Sequence, residues 1–341
     1  MRSFACDYIA GAHPEIIKRL TETNLEVLPG YTEDKYCMSA TEKIKKACQR
    51  EDLEIFYLVG GTQTNQIVID TMLENYEGVV AAKTGHVSIH EAGAIEFSGH
   101  KVLEIEGEKG KLSADKVDAY IKAFYNDENH EHMVFPGMVY ISFPTEYGTL
   151  YSKNEMKELH EVCKKYNIPL FVDGARLIYG LASYENDLSL KDLCDNCDVF
   201  YIGGTKAGAL CGEAVVFTNK NMPKHFLTQV KQHGALLAKG RILGVQFDTM
   251  FTDDLYVNIG KWAIDKAEEV KEIFKRKGYK FLLDSPTNQQ FIIMNNEKIK
   301  ELEKEIGFSF WENYDENNTV VRFATSWSTT EDDIKELEKL I

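Results

Sequence analysis

Between residues 54 and 217 the chain repeats one pattern: a short apolar run, a turn, then a stretch in which apolar residues recur every three or four positions. Short continuous apolar runs are the mark of strands buried on both faces, and the stretches between them have the period of helices packed against a sheet. The runs predict strands at Glu54–Leu58, Val79–Ala82, Val102–Ile105, Met138–Ile141, Leu170–Val172, Val199–Ile202 and Ala214–Phe217. Such alternation predicts one large, mainly parallel seven-stranded sheet with helices on both faces, an α/β architecture.

The pattern changes on either side of this block. Before it, Pro14 opens a short helix through Leu20, and Pro29-Gly30-Tyr31-Thr32 has the chemistry of a turn. After Gly240 a long helix is predicted over Leu255–Lys277, followed by extended stretches at Tyr279–Leu283, Phe291–Met294 and Val320–Ala324 and an amphipathic end, Glu331–Ile341. Strict alternation is lost there, so the expected division is an N-terminal arm and large domain over 1–244 and a smaller α+β domain over 245–341.

Composition narrows the function. With 44% apolar and 27% charged residues the chain is globular, and its formal net charge of −15 without a basic stripe excludes nucleic acid and anionic membrane as partners. No leader-like apolar run opens the sequence and no segment nears the length of a membrane span, so a cytoplasmic protein is expected. The seven cysteines are scattered as reduced thiols would be. Cys194-x-x-Cys197 lacks a second pair, and no metal or redox role is expected of it.

The chemistry sits at strand ends. Asp198–Ile202 is an apolar strand that stops at Gly203-Gly204-Thr205 and presents Lys206, and about one βαβ unit upstream another strand ends at Asp173. Open α/β sheets bind ligands at such carboxyl ends. A lysine and an acid on neighbouring strand ends can hold pyridoxal phosphate between them, the amine in a Schiff base with its aldehyde and the carboxylate against its ring nitrogen. Upstream, Gly60-Gly61-Thr62-Gln63-Thr64-Asn65 joins a strand to a helix whose free amides suit an anion, without the lysine of a nucleotide-binding loop. His86 also follows a strand, where an imidazole can stack on a flat ring or carry a proton. His90 and Glu91 do not complete a zinc-binding arrangement.

Gly61-Thr62-x-x-Asn65, His86 with Glu91-Ala92-Gly93, Thr145-Glu146-x-Gly148-Thr149, Asp173-Gly174-Ala175-Arg176, Gly203-Gly204-Thr205-Lys206 and Val321-Arg322-Phe323 occur in that order. Together they resemble the pyridoxal phosphate-dependent threonine aldolase and β-eliminating lyase family, nearest its bacterial low-specificity L-threonine aldolases. The resemblance implies the aspartate aminotransferase-like fold (fold type I) and retro-aldol cleavage of L-threonine or L-allo-threonine to glycine and acetaldehyde. The alternative it leaves is β-elimination or transamination on the same scaffold. It implies catalytic roles for Lys206, His86 and Asp173: Schiff base, ring stacking and contact with the pyridine nitrogen, with His86 and a bound water as the candidates to take the β-hydroxyl proton. Gly61, Thr62 and Asn65 correspond to a phosphate cradle, and Arg176 and Thr205 belong with the cofactor-binding positions. Cys6, Arg176 and Arg322 correspond to the substrate's carboxylate site, and Tyr31 to a further substrate-binding position. It also implies a homodimer or tetramer with sites at the subunit interface, reached by Tyr31 and the segment Lys231–Arg241. Three positions depart from the family's pattern: Cys6 replaces serine, Tyr179 replaces asparagine, and Glu146 lies where some members carry a histidine near the substrate hydroxyl.

Overall fold

The computed structural model describes residues 2–341. Each expected apolar run of the central block is a strand: β1 (Glu54–Leu58), β2 (Glu77–Ala82), β3 (Val102–Ile105), β4 (Phe135–Ser142), β5 (Leu170–Asp173), β6 (Val199–Gly203) and β7 (Glu213–Phe217). Among the described residues these seven form one sheet in the order β1-β7-β6-β5-β4-β2-β3. Neighbours are parallel except around β7, which runs antiparallel to both β1 and β6. Every residue of β5, β6 and β7 is buried, and apart from Asp173 and Glu213 at their ends their sequences are apolar runs.

The pleat sends alternate residues to two cores. Val139, Ile141, Val172 and Phe200 face the larger core, whereas Met138, Tyr140, Phe171 and Tyr201 pack with Ile67 and Val68 of the helix Gly61–Met72. Asp173, two residues beyond Phe171, shares the second face with Tyr140 and Tyr201. That alternation carries two tyrosines and a carboxylate to one end of the sheet.

A second, antiparallel sheet of β8 (Lys280–Phe281), β9 (Gln289–Asn295), β10 (Ser309–Asn313) and β11 (Asn318–Ala324) has the order β10-β11-β9-β8. The stretch expected at Tyr279–Leu283 is reduced to β8, and β10 was not anticipated. As a half-exposed edge strand with a bulge between Phe310 and Glu312, β10 lacks a clean alternation.

The expected division at 244/245 falls inside the helix Arg241–Met250, whose Leu243 and Phe247 are buried in the larger core. The next helix, Leu255–Arg276, serves both units: Tyr256, Ile259 and Ile264 pack in the larger core, Val270, Ile273 and Phe274 in the smaller. Arg2–Ser3 pairs parallel with Ile306–Gly307, and Phe4 is buried beside Phe323. We propose that the divide runs through this shared helix, between residues 264 and 270, with the first few residues of the chain belonging to the smaller unit. Among the described residues no helix is long and apolar enough to cross a membrane.

Candidate active site

The ends of β5 and β6 meet through glycine. A Cβ on Gly174 would lie 1.8 Å from the Tyr201 carbonyl oxygen, and one on Gly203 would lie 2.4 Å from that of Ala175. Only backbone without side chains can cross so closely, and the crossing sets the turn after Asp173 against the turn that carries Lys206. Lys206 lies in the short 3-10 turn Thr205–Ala207, and the Tyr179 hydroxyl donates to its main-chain carbonyl at 2.6 Å. Burial lowers the proton affinity of its amine, and the Arg176 guanidinium lowers it further; Asp7, Asp173 and Glu213 offset only part of this. Glu213, at the start of β7, accepts from the Gly204 amide at 3.2 Å, and burial pushes its carboxyl up to about 8. Thr205, expected at the cofactor, accepts from the Gly212 amide at 3.1 Å and so braces the turn.

Asp173 is held as an anion. Burial alone would raise its pKa, but His86 and donors from Tyr140, Tyr201 and Asn65 bring it below the ordinary carboxylate value. Both tyrosine hydroxyls donate at 2.5 Å, and the Asn65 amide and the Ala175 main-chain N–H at 2.9 Å. Asn65 also donates to Glu91 at 2.7 Å, and Glu91 Oε1 lies 2.9 Å from His86 Nδ1. The Asn65 side chain, expected in a phosphate cradle, here links two carboxylates. His86 keeps its expected place near Asp173, with one ring nitrogen tethered.

Gly61 and Thr62 open the helix Gly61–Met72, which starts from an extended Gly60 without a side-chain cap. A Cβ on Gly61 would lie 3.2 Å from the Tyr201 hydroxyl, so the helix start abuts the Asp173 cluster. Its unpaired amides and positive dipole end suit a phosphate. The residues therefore fit pyridoxal phosphate: an amine that gives up its proton readily, an anion for the ring nitrogen, and an uncapped helix start beside that anion. His86, Asp173, Arg176 and Lys206 face one small hollow, which opens into a cleft of about 650 Å³.

Cys6, Arg176 and Arg322 converge on that cleft, as expected. Arg322, on β11, donates to the Gln289 side chain at 3.0 Å and the Ala5 carbonyl at 3.1 Å, and its Nη2 lies 3.4 Å from the Cys6 sulfur. Arg176 is gripped from behind, its Nε and Nη2 donating to Asp7 at 2.6 and 3.0 Å. Tyr31 does not join them. It is exposed, with a left-handed backbone, and the Lys231 ammonium lies 5.2 Å from its ring. Arg241 donates to the carbonyls of Thr23 and Glu26 in its own chain, so it is not a solvated surface charge.

Asp7, Tyr140, Tyr201 and Glu213 were not singled out from the sequence. Strand alternation contains the signal for the two tyrosines; nothing local marks Asp7. Burial acts against ionising Asp7, yet Arg176, Lys206 and hydrogen bonds from Arg176 and Asn288 hold its pKa at about 2 rather than 3.8. With the folded value depressed, Asp7's contribution is fully present above pH 3.8 and is lost as pH falls through about 2. That contribution is about 2 kcal/mol. Asp7→Ala, which strands a buried guanidinium, should cost about 3–5 kcal/mol in chemical denaturation at neutral pH. An unchanged midpoint would show that the pair contributes nothing.

The model of a family described as beta-eliminating lyase matches residues 3–295. The low specificity L-threonine aldolase of Pseudomonas aeruginosa is 28% identical, the match spanning 99% of this chain and 96% of that protein. A threonine aldolase structure from Leishmania major superposes with a TM-score of 0.96 at 36% identity, covering 100% of this chain and 98% of that one. A double mutant of Thermus thermophilus aspartate aminotransferase shares the fold, with a TM-score of 0.67 at 14% identity, covering 97% of this chain and 88% of that one. The fold is therefore aspartate aminotransferase-like. The family match runs without a break from the arm bearing Asp7 through the strand ends bearing Asp173 and Lys206, and on that ground the chain belongs to the beta-eliminating lyase family.

Proposed function

We propose that the protein is a pyridoxal phosphate-dependent aldolase that cleaves L-threonine, L-allo-threonine and related β-hydroxy-α-amino acids to glycine and an aldehyde. The observation that carries this is the meeting, in one hollow, of a lysine of reduced proton affinity with a buried aspartate anion, beside two guanidiniums. The names of the Pseudomonas and Leishmania relatives support the same reaction.

Lys206, Asp173 and the start of the helix Gly61–Met72 would hold the cofactor at its aldehyde, ring nitrogen and phosphate. Bound there, it would supply a sink for the electron pair released when the Cα–Cβ bond breaks. The chain's own groups do the rest. Burial and Arg176 keep the Lys206 Nζ able to shed its proton, which a nucleophilic amine must do. Asp173 offers a lasting negative charge, which favours a protonated nitrogen placed against it. Arg322 borders the cleft with Arg176, where a guanidinium fork can grip the substrate's carboxylate, and gripping that group orients the bond to be broken. The tether from Glu91 to Nδ1 fixes the plane of the His86 ring.

The proposal includes a homodimer or a tetramer of dimers. The exposed Leu25, Val27 and Tyr31 lie close together in sequence on one loop outside the chain's own cleft, a surface suited to a neighbouring subunit. The free cysteines agree with a reducing, cytoplasmic setting.

The test is the visible spectrum of purified protein reconstituted with pyridoxal phosphate, before and after L-threonine or L-allo-threonine, with assays for glycine and acetaldehyde. Both products, with a spectral change on mixing, are expected. Pyruvate with ammonia, or turnover only with a keto-acid acceptor, would replace the aldolase reading with elimination or transamination.

A further inference from the structure

We infer that Glu146 is the catalytic residue that takes the proton from the substrate's β-hydroxyl as the Cα–Cβ bond breaks. The assignment rests on the aldolase reading above. That cleavage needs an acceptor: the O–H pair becomes the second C–O bond of the aldehyde, the Cα–Cβ pair stays with the glycine fragment, and the hydroxyl proton needs somewhere to go. It moves to a Glu146 carboxylate oxygen and then to solvent. The glycine fragment takes up one proton at Cα, which closes the balance.

Three observations single out Glu146. It borders both the inner hollow, with Asp173 and Lys206, and the outer cleft, with Arg176 and Arg322, so it lies between the place of the cofactor and that of the substrate. Its orientation is fixed from two neighbouring strand ends: Oε1 accepts from the Ser142 hydroxyl at the end of β4 at 2.6 Å and from the His86 main-chain N–H beyond β2 at 2.9 Å. No lysine or arginine pairs with it among the described residues, and no side chain there donates to Oε2. A carboxylate held by one oxygen, with the other uncommitted and no cation to neutralise it, is built to accept a proton. Burial strengthens it as a base and Asp173 adds to this, whereas Ser142 and His86 work in the opposite direction; burial prevails.

The other groups on the cleft are less suited. His86 has Nδ1 committed to Glu91, and Glu312, on the bulged edge strand, accepts from the Tyr147 hydroxyl at 3.2 Å. The exposed His90 is made a weaker base by burial of part of its ring and by the nearby His86, Arg322, Arg176 and Lys206.

Glu146→Gln tests the assignment, because the glutamine carbonyl can still accept from Ser142 and His86 while the amide cannot take a proton. Glycine serves as the control substrate: exchange of its α-hydrogen with deuterium oxide needs the cofactor, Lys206 and the arginines but involves no hydroxyl. In the cofactor-loaded variant the dissociation constant for glycine, from spectral titration, should stay within about twofold of wild type, and exchange within about threefold. Cleavage of L-threonine should fall about 10²- to 10⁴-fold. Cleavage within threefold of wild type would overturn the assignment. Parallel loss of glycine binding, exchange and cleavage would overturn it too, since Glu146 would then support the site as a whole. Wild-type protein that binds the cofactor but neither exchanges glycine nor cleaves threonine would mark failure of the aldolase reading itself, and the assignment would fall with it.

Discussion

Lys206→Ala should give a folded protein that no longer cleaves β-hydroxy amino acids, with kcat lower by on the order of 10⁴-fold or more, the scale of losing a covalent nucleophile. The side chain is cheap to remove. Among the described residues its Nζ forms no hydrogen bond, and the bond from the Tyr179 hydroxyl is to the main-chain carbonyl, which alanine keeps. The turn should therefore survive while the visible absorption that depends on a covalent link to the amine disappears. Measured together, a near-native melting temperature, a colourless protein and no acetaldehyde are the expected result. Retention of colour and turnover would remove Lys206 from the chemistry and leave the reading of the site without its centre.

Asp173→Asn separates charge from shape. The amide has nearly the carboxylate's outline and can still accept from one of the two tyrosines, but it carries no negative charge, and its NH₂ must face a hydroxyl that formerly donated. Cofactor binding through Lys206 should persist, and kcat should fall about 10²- to 10³-fold, as when one well-placed electrostatic partner is removed. Full activity in this variant would mean that the ring nitrogen does not depend on Asp173. The wild-type carboxyl is held below its ordinary value, so Asp173 should stay charged through the neutral range and an acidic limb of the wild-type pH profile near neutrality should belong to another group.

The large sheet was legible because it is buried on both faces. Continuous apolar runs such as Val199–Ile202 have no other comfortable setting, and each such run became a strand. Lys206 and Asp173 were legible for a related reason: charged residues immediately after buried strands stand at the ligand-binding edge. The grip of Asp7 on Arg176 joins residues 169 positions apart, a distance no local pattern spans. Asn65 was placed by motif near the right helix start, but a motif does not specify where an amide points, and here it serves Asp173 and Glu91. A divide within the helix Leu255–Arg276, as proposed above, has no mark in the sequence, because the helix's single amphipathic period says that it packs and not against which core.

That helix has a thermodynamic consequence. Its first half completes one core and its second half the other, so melting either core would strip apolar partners from a rod that the remaining core still holds. The two units are thus poor candidates for independent foldons, and the chain should lose its structure in one cooperative step despite being longer than a typical single domain. The protection of Ile264 and Val270 against hydrogen exchange should accordingly track the same global opening.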